Sequence, residues 1–337
     1  MAPRTYDRGM TRPPLSVLDL VPVSAGSDVR AALEATYAAV RLAEESGYHR
    51  YWFAEHHNSP TFASSATSLL IEHALAMTST LRIGSGGVML PNHAPLTVAE
   101  QFGTLVQLHG DRVDLGLGRA PGTDPMTARL LRRGASDAQS FADQIFELQA
   151  WFGSGDSPRG VSSIVAAGTE VPIWVLGSTV NGASIAGQLG LPFAVASHFA
   201  PDELYEALSV YRHAFSTESP TARRETPCAM VGVSVLVADT DAEAEFQYST
   251  HVQMSIGNAT GERRPLQPPR ADLPHDAGWR AAQGMLTCRA VGSPATVRRV
   301  LDELVAATAA DELIVVSYAH DPQVRLRSLQ LLSELWM

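Results

Sequence analysis

LRIGSGGVML, residues Leu81 to Leu90, and RVDLGLG, residues Arg112 to Gly118, flank a stretch of helical length from Leu96 to His109, and this arrangement decides the fold. Apart from Arg82, Arg112 and Asp114 near their starts, the flanking runs are apolar or small, as expected of strands covered on both faces. A strand, helix, strand order needs a crossover and therefore implies parallel pairing. The alternation continues in both directions. Before it lie LSVLDLV from Leu15 and YHRYWFA from Tyr48. After it come VPIWVLG from Val171, PFAVAS from Pro192, AMVGVSVLVA from Ala229 and ELIVVSY from Glu312. Helices are predicted over 28–46, 66–78, 96–109, 137–152, 181–189, 201–215, 241–256, 294–309 and 321–336. Asp28, Thr97, Asp137 and Asp241 are candidate caps, and Pro294 is a first helical residue. Eight strand and helix units favour an α/β fold of the closed (β/α)8 TIM type over an open doubly wound sheet, which usually has five or six strands.

The spacing of strand starts places the decorations. Leu15, Tyr48 and Leu81 follow one another at about 33 residues, and the interval lengthens after the fourth and the seventh strands. The expected organisation is a polar tail over 1–14, one barrel domain over 15–337, and insertions after strands 4 and 7. The second insertion contains GERRPLQPPRADLPHDAG, and 257–284 reads as a long loop, either a mobile lid or a disordered segment.

Composition excludes several classes of function. The 337 residues carry 25 basic and 35 acidic side chains, a formal charge of −10. Such a molecule repels polyphosphate backbones, which argues against nucleic acid as a partner. Every basic side chain among them is arginine. Schiff-base, pyridoxal-phosphate, P-loop and kinase chemistry all need a lysine that this chain does not have. Two cysteines make neither a disulfide framework nor a four-ligand zinc site, so no metal is expected and a cytoplasmic location is. The sequence contains neither a signal-type apolar core nor a long apolar span, which predicts no membrane association.

In a (β/α)8 barrel the reactive groups stand at the carboxyl ends of the strands. The second strand ends in Glu55, His56 and His57. Adjacent strand residues point to opposite sides, so the two histidines do not chelate one metal. One of them suits acid/base work or hydrogen bonding, and a strand-end histidine satisfied by its neighbours is the alternative. Ser85, Gly86 and Gly87 end the third strand, where glycine admits either a flat ligand close to the backbone or a β-bulge. The fourth strand delivers Arg119 among small residues. Its forked guanidinium fits a phosphate, and an ordinary carboxylate pair fits equally well. The fifth delivers Gly177, Ser178 and Asn181 to a helix start, which is either an anion site or a simple cap. Ser197, His198 and Phe199 follow the sixth strand and read as pocket wall.

Taken in order, GluHisHis at 55–57, IleGlySerGlyGlyValMetLeuPro at 83–91, AspLeuGlyLeuGlyArgAlaProGly at 114–122, LeuGlySer at 176–178 and AlaSerHisPheAlaPro at 196–201 resemble the bacterial-luciferase-like flavin monooxygenases, in particular those of actinomycete biosynthetic pathways. The resemblance runs from about Leu15 to the C-terminus. It implies a barrel that holds reduced FMN non-covalently at its mouth and receives it from a separate flavin reductase. With O2 as co-substrate it would oxygenate a small organic molecule, an aromatic polyketide in secondary-metabolite tailoring being the class expected, and it would do so as a homodimer. It also implies His56 as the catalytic histidine and His57 beside the flavin. The ring would lie over Ser85, Gly86 and Gly87, a position where the family often has a non-prolyl cis peptide, and Arg119, Gly177 and Ser178 would hold the phosphate. Asn181 stands where many relatives carry a further hydroxyl, and Glu100 matches a recurrent acidic helix position. Two rivals remain, a hydride-transferring enzyme using the deazaflavin F420 and a non-catalytic flavin-binding protein. The acidic tail of F420 calls for a basic groove, and only Arg119 among the strand ends supplies one.

Overall fold

A computed structural model describes residues 12–131, 138–155, 158–274 and 276–337. Nine strands occur among them: β1 (Leu15–Asp19), β2 (Arg50–Phe53), β3 (Arg82–Met89), β4 (Val113–Gly118), β5 (Ile173–Gly177), β6 (Phe193–Val195), β7 (Ala229–Val237), β8 (Arg289–Gly292) and β9 (Glu312–Val316). All pairings between them are parallel. β1 to β7 follow one another around the ring and β9 closes it between β7 and β1, so the eight strands expected from the sequence are the eight staves of a closed barrel.

β8 was not expected. It pairs with Ser234–Val237 of β7, beyond the point where β9 ends its own pairing at Ser234, and so extends the sheet outside the ring. The helices are α1 (Val29–Glu45), α2 (Thr67–Ala76), α3 (Pro95–His109), α4 (Pro125–Leu130), α5 (Ala138–Phe152), α6 (Val180–Gln188), α7 (Leu204–Ala214), α8 (Asp241–Thr260), α9 (Ala277–Ala282), α10 (Pro294–Thr308) and α11 (Pro322–Trp336).

Asp28 caps α1 and Pro294 begins α10, as expected. Two caps differ. Pro95 already opens α3, which places Thr97 inside the helix, and Thr240 rather than Asp241 caps α8. Asp241 instead accepts from the Ser293 amide at 2.6 Å and ties the start of α8 to the start of α10. Asp137 lies outside the described residues.

The barrel interior is filled by matching large against small. The indoles of Trp52 and Trp174 meet edge to face at 5.4 Å, beside positions where β3 and β4 carry glycine. A Cβ at Gly86 would come within 2.6 Å of Leu18 Cδ1 and 3.1 Å of the Trp52 ring, and one at Gly116 within 2.7 Å of Leu176 Cδ1. Close packing leaves no room for both indoles and side chains here. The glycines of the third strand therefore serve the barrel itself, and the register of β3 on β4 shifts between Gly86 and Val88, the bulge foreseen as one reading of that segment. The Gly86–Gly87 peptide is cis.

The insertion after β7 is more built than a loop. α8 runs to Thr260, and the chain then crosses the mouth, where Leu266 is buried and pairs with Ser24, and the Thr61 hydroxyl donates to the Arg264 carbonyl at 2.8 Å. α9 completes the segment. These contacts bring the inner face of α8 over the open end of the barrel.

Candidate active site

One cavity of about 650 Å³ opens at the carboxyl ends of the strands, a size usual for small-molecule sites. Its floor is the apolar upper interior, with Leu18, Trp52 and Ile314. Its rim carries His56 from β2, Gly86 from β3, Arg119 after β4, Gly177 and Ser178 from β5, and His198 after β6. α8 adds His251, Met254, Ser255 and Asn258.

Strand alternation separates the paired histidines. His56 lines the cavity, its ring 5.5 Å from that of Phe62, whereas His57 turns away and bonds Glu55 Oε1 through Nε2 at 2.9 Å. The expectation that His57 stands beside the ligand is corrected on this point. Glu55 is almost wholly buried and binds several chain segments together. Oε1 also accepts from Asn92 at 3.1 Å, and Oε2 meets His93 Nε2 and the Met89 amide at 2.9 Å each. Burial pushes this carboxyl up, but the bonds from His57 and His93 and from the Met89 amide outweigh it and hold the group down at about 2. It is a fixed anion that pins the rim on which His56 stands, and Asn92 and His93 were not singled out in the sequence. Burial lowers the His56 ring to about 4; the Glu55 charge opposes this without reversing it. At neutral pH His56 is therefore an uncharged imidazole, with one N–H and one lone pair.

The end formed by β4 and β5 is suited to an anion. Arg119 lines the cavity. With the Asn181 amide turned so that its oxygen faces the guanidinium, that oxygen accepts from Nη1 at 3.2 Å and Nη2 at 3.1 Å. Asn181 is thus brought to Arg119 rather than into the cavity wall. Ser178 and Gly177 line the wall just before α6, whose start is capped by Thr179 accepting from the Gly182 amide. Gly182 packs against Gly177 with room for little else, a Cβ on either lying 3.4 Å from the other's Cα. One acidic group intrudes, since Glu203 Oε2 accepts from the Val180 amide at 2.8 Å in the first turn of this helix.

Of Ser85, Gly86 and Gly87 only Gly86 lines the cavity, joined from the end of β3 by Met89. Ser85 is buried with its hydroxyl donating to the Gly116 carbonyl at 2.8 Å, and Gly87 lies against that same carbonyl, so both form wall behind the surface. Glu100 is exposed on α3, outside the cavity. Sequence reading missed His251 and Tyr318. The signal for His251 was present, because Tyr248, His251, Val252 and Ser255 are buried at the three- and four-residue spacing of one helix face.

These features fit a flat, mostly apolar ligand with one phosphate. Residues 14–312 match the model of the luciferase-like monooxygenase family. The chain belongs to that family. An Escherichia coli (strain K12) protein named luciferase-like monooxygenase is 46% identical over 322 residues, which cover 94% of this chain and 95% of that one. The crystal structure of apo-MsnO8 superposes with a TM-score of 0.87 at 35% identity, covering 96% of this chain and 98% of its own. At 19% identity the likeness is one of fold alone: the oxygenating constituent of 3,6-diketocamphane monooxygenase from Pseudomonas putida, a type II Baeyer-Villiger enzyme in complex with FMN, gives a TM-score of 0.73 over 96% of this chain and 98% of that one. The protein described here is accordingly a luciferase-like monooxygenase. No helix among its described residues is long and apolar enough to cross a membrane.

Proposed function

We propose that this luciferase-like monooxygenase takes up reduced FMN delivered by a separate flavin reductase and uses O2 to oxygenate a small organic molecule. The observation that carries this reading is the polarity of the cavity at the carboxyl ends of the strands, with an anion-suited end at Arg119 and the start of α6, an uncharged imidazole at His56, and apolar wall elsewhere. Bound reduced FMN supplies the electrons that activate O2; the protein supplies position, proton control and exclusion of water.

Each contribution has a residue. Arg119 offers the forked donor set that suits a phosphate, and Ser178 adds a hydroxyl beside the positive end of α6. Gly86 presents bare backbone, with Trp52 and Leu18 beneath it, to a planar ring system. His56, neutral at working pH and held through one ring nitrogen by the Gly122 carbonyl, accepts a proton on its other nitrogen and can return it, the service general acid/base groups provide. Glu55 and His57 hold that rim and act through His56 rather than on the ligand. α8 and the crossing segment at Leu266 keep water from the apolar end.

The test is an anaerobic titration with reduced FMN and, separately, with reduced F420, followed by mixing with oxygen. Reduced FMN should bind and reoxidise with kinetics distinct from those of free flavin. Preferential binding of F420 would transfer the protein to hydride chemistry, and bound FMN that reoxidises like free flavin would mark a binding protein without the activity.

A further inference from the structure

The end of the cavity away from Arg119 contains two histidines that the reading above leaves without a task. His198 follows β6 and His251 sits on α8; both line the cavity, and their exposures are 8% and 4%. In each ring Nδ1 is buried without a hydrogen-bond partner, and no bond is made at Nε2. Packing alone orients them. His198 lies edge to face with Phe199 at 5.1 Å and presses its Nδ1 side against Gly232, where a Cβ would come within 2.6 Å. His251 is wedged between Tyr248 at 4.8 Å and Tyr318 at 5.0 Å, the latter nearly perpendicular at 89°.

A buried polar group without a partner costs stability, and two in one wall are exceptional unless something outside the fold satisfies them. Because Nδ1 of each ring faces protein, Nε2 is the nitrogen left to meet a ligand. The surroundings define that ligand further. Phe62, Phe199, Met254, Met285 and Tyr318 line this end with apolar surface. Burial keeps both rings uncharged at neutral pH, lowering His198 to about 4 and His251 to about 3. An uncharged imidazole gives a carboxylate or phosphate no ion pair to offset its desolvation, but it makes a full hydrogen bond to a neutral oxygen.

We propose that His198 and His251 form the substrate-recognition pole of the cavity and bind one neutral carbonyl or hydroxyl oxygen of an otherwise apolar substrate. The assignment rests on the monooxygenase reading for the word substrate, and its test is separable from that reading. His56, His198 and His251 line the same cavity, and His56 lies close enough to His198 to disfavour its protonation, as His198 does for His251. An oxygen gripped at this pole therefore sets its neighbouring carbons toward His56, where the chemistry of the site is placed.

The experiment uses the full chain at pH 7.5 with 2-decanone, carbonyl-labelled with carbon-13, and decanoate as a charged probe of equal length. Binding is followed by tryptophan fluorescence, because Trp52 forms the cavity floor, and by the carbonyl resonance. The ketone should bind at least about tenfold more tightly than decanoate, with its carbonyl resonance shifted downfield by the hydrogen bond. In His198→Phe/His251→Phe the ketone affinity should fall about tenfold and the shift should vanish. His198→Gln/His251→Gln retains donors, serves if the phenylalanine variant does not fold, and should recover part of the shift. Equal binding of ketone and carboxylate, no ketone binding, or an unaltered shift in both variants would overturn the proposal. FMN titration of the same proteins separates the two readings: loss of FMN binding in the wild type with the ketone results intact removes the flavin reading and leaves the pole standing.

Discussion

At the amino end of the barrel, Arg50 reaches Asp114 at 2.8 Å and Glu312 at 2.9 Å, Arg82 reaches Asp114 at 2.6 Å, and Ser16 donates to Glu312. At the carboxyl end of the same interior, His198 and His251 are buried as neutral rings, each with a nitrogen that bonds nothing. The polar groups are comparably sheltered, yet one set is ionic and paired and the other is uncharged and unpaired. Pairing satisfies the fold and leaves nothing for a ligand. Leaving rings unpaired costs stability and keeps their hydrogen-bonding capacity for whatever enters. A (β/α)8 barrel keeps stability at the bottom and chemistry at the top, and here the division is visible in the bonding state of the side chains.

The comparison predicts effects of different kind at the two ends. His56→Ala at the mouth should cut substrate oxygenation by roughly 10²–10⁴-fold, the usual worth of a general acid/base, while the unfolding midpoint and FMN affinity stay close to wild type. Steady-state turnover beside a thermal melt checks both halves, and unchanged turnover removes His56 from the mechanism. Asp114→Ala at the bottom should act in the opposite sense. It deprives Arg82 of its carboxylate, leaves Arg50 with Glu312 alone and removes the acceptor of the Trp52 indole, so chemical denaturation should show a loss of about 3–5 kcal/mol, the range for breaking a buried pair. Folded Asp114→Ala protein should still bind FMN.

This division also explains what could be read in advance. The eight staves were legible because each is a continuous apolar run bounded by turn residues. β8 was not, since RAVG is too short to show a period and pairs only with the protruding end of β7. Alternation argued against a shared metal at His56 and His57 but did not reveal that His57 turns away to Glu55. The anchoring role of Glu55 did not, because its partners Met89, Asn92 and His93 reach it from another unit of the barrel. His251 stayed hidden for a similar reason: helix periodicity marks its face as inward but does not say that α8 covers the mouth.

Arg119→Ala tests the anion end of the mouth. Loss of a charge-assisted bond, about 1.5–3 kcal/mol, should weaken FMN binding roughly 10- to 100-fold in a fluorescence titration, with little change for riboflavin, which has no phosphate. Arg119→Lys should restore only part, because the ammonium offers no fork.

Acid should sharpen the contrast between the two ends. In the unfolded chain these histidines take up protons near pH 6.5, whereas the folded protein resists until about pH 4 at His56 and His198 and about pH 3 at His251. The unfolded state therefore binds more protons across this window, and stability falls as pH drops through it, by about 1–2 kcal/mol per ring at pH 5. Replacing His198 and His251 with phenylalanine should flatten the slope of stability between pH 7 and 5. The held carboxylate Glu55 acts lower, its contribution being lost only as pH falls from about 4.5 toward 2. A slope unchanged by the histidine replacements would mean that the rings are not protected from protonation.

The smallest effect concerns Glu203, which precedes α7 and reaches the first turn of α6. Its carboxylate takes the Val180 amide at 2.8 Å, so it occupies a donor and places negative charge beside the end that the reading above assigns to a phosphate. A charge at a helix start is worth about 0.3–1 kcal/mol to the helix, and the same magnitude opposes a second anion brought to that start. Glu203→Gln keeps an acceptor for Val180 and removes the charge. FMN affinity should then rise about two- to fivefold, more at low salt than at high salt because an exposed charge is screened. Riboflavin affinity should not move. If the gain appears for riboflavin as well, the residue acts by reshaping the loop before α7 and the phosphate does not lie at α6; if it appears for FMN alone and fades with salt, the anion end is fixed at Arg119 and the start of that helix.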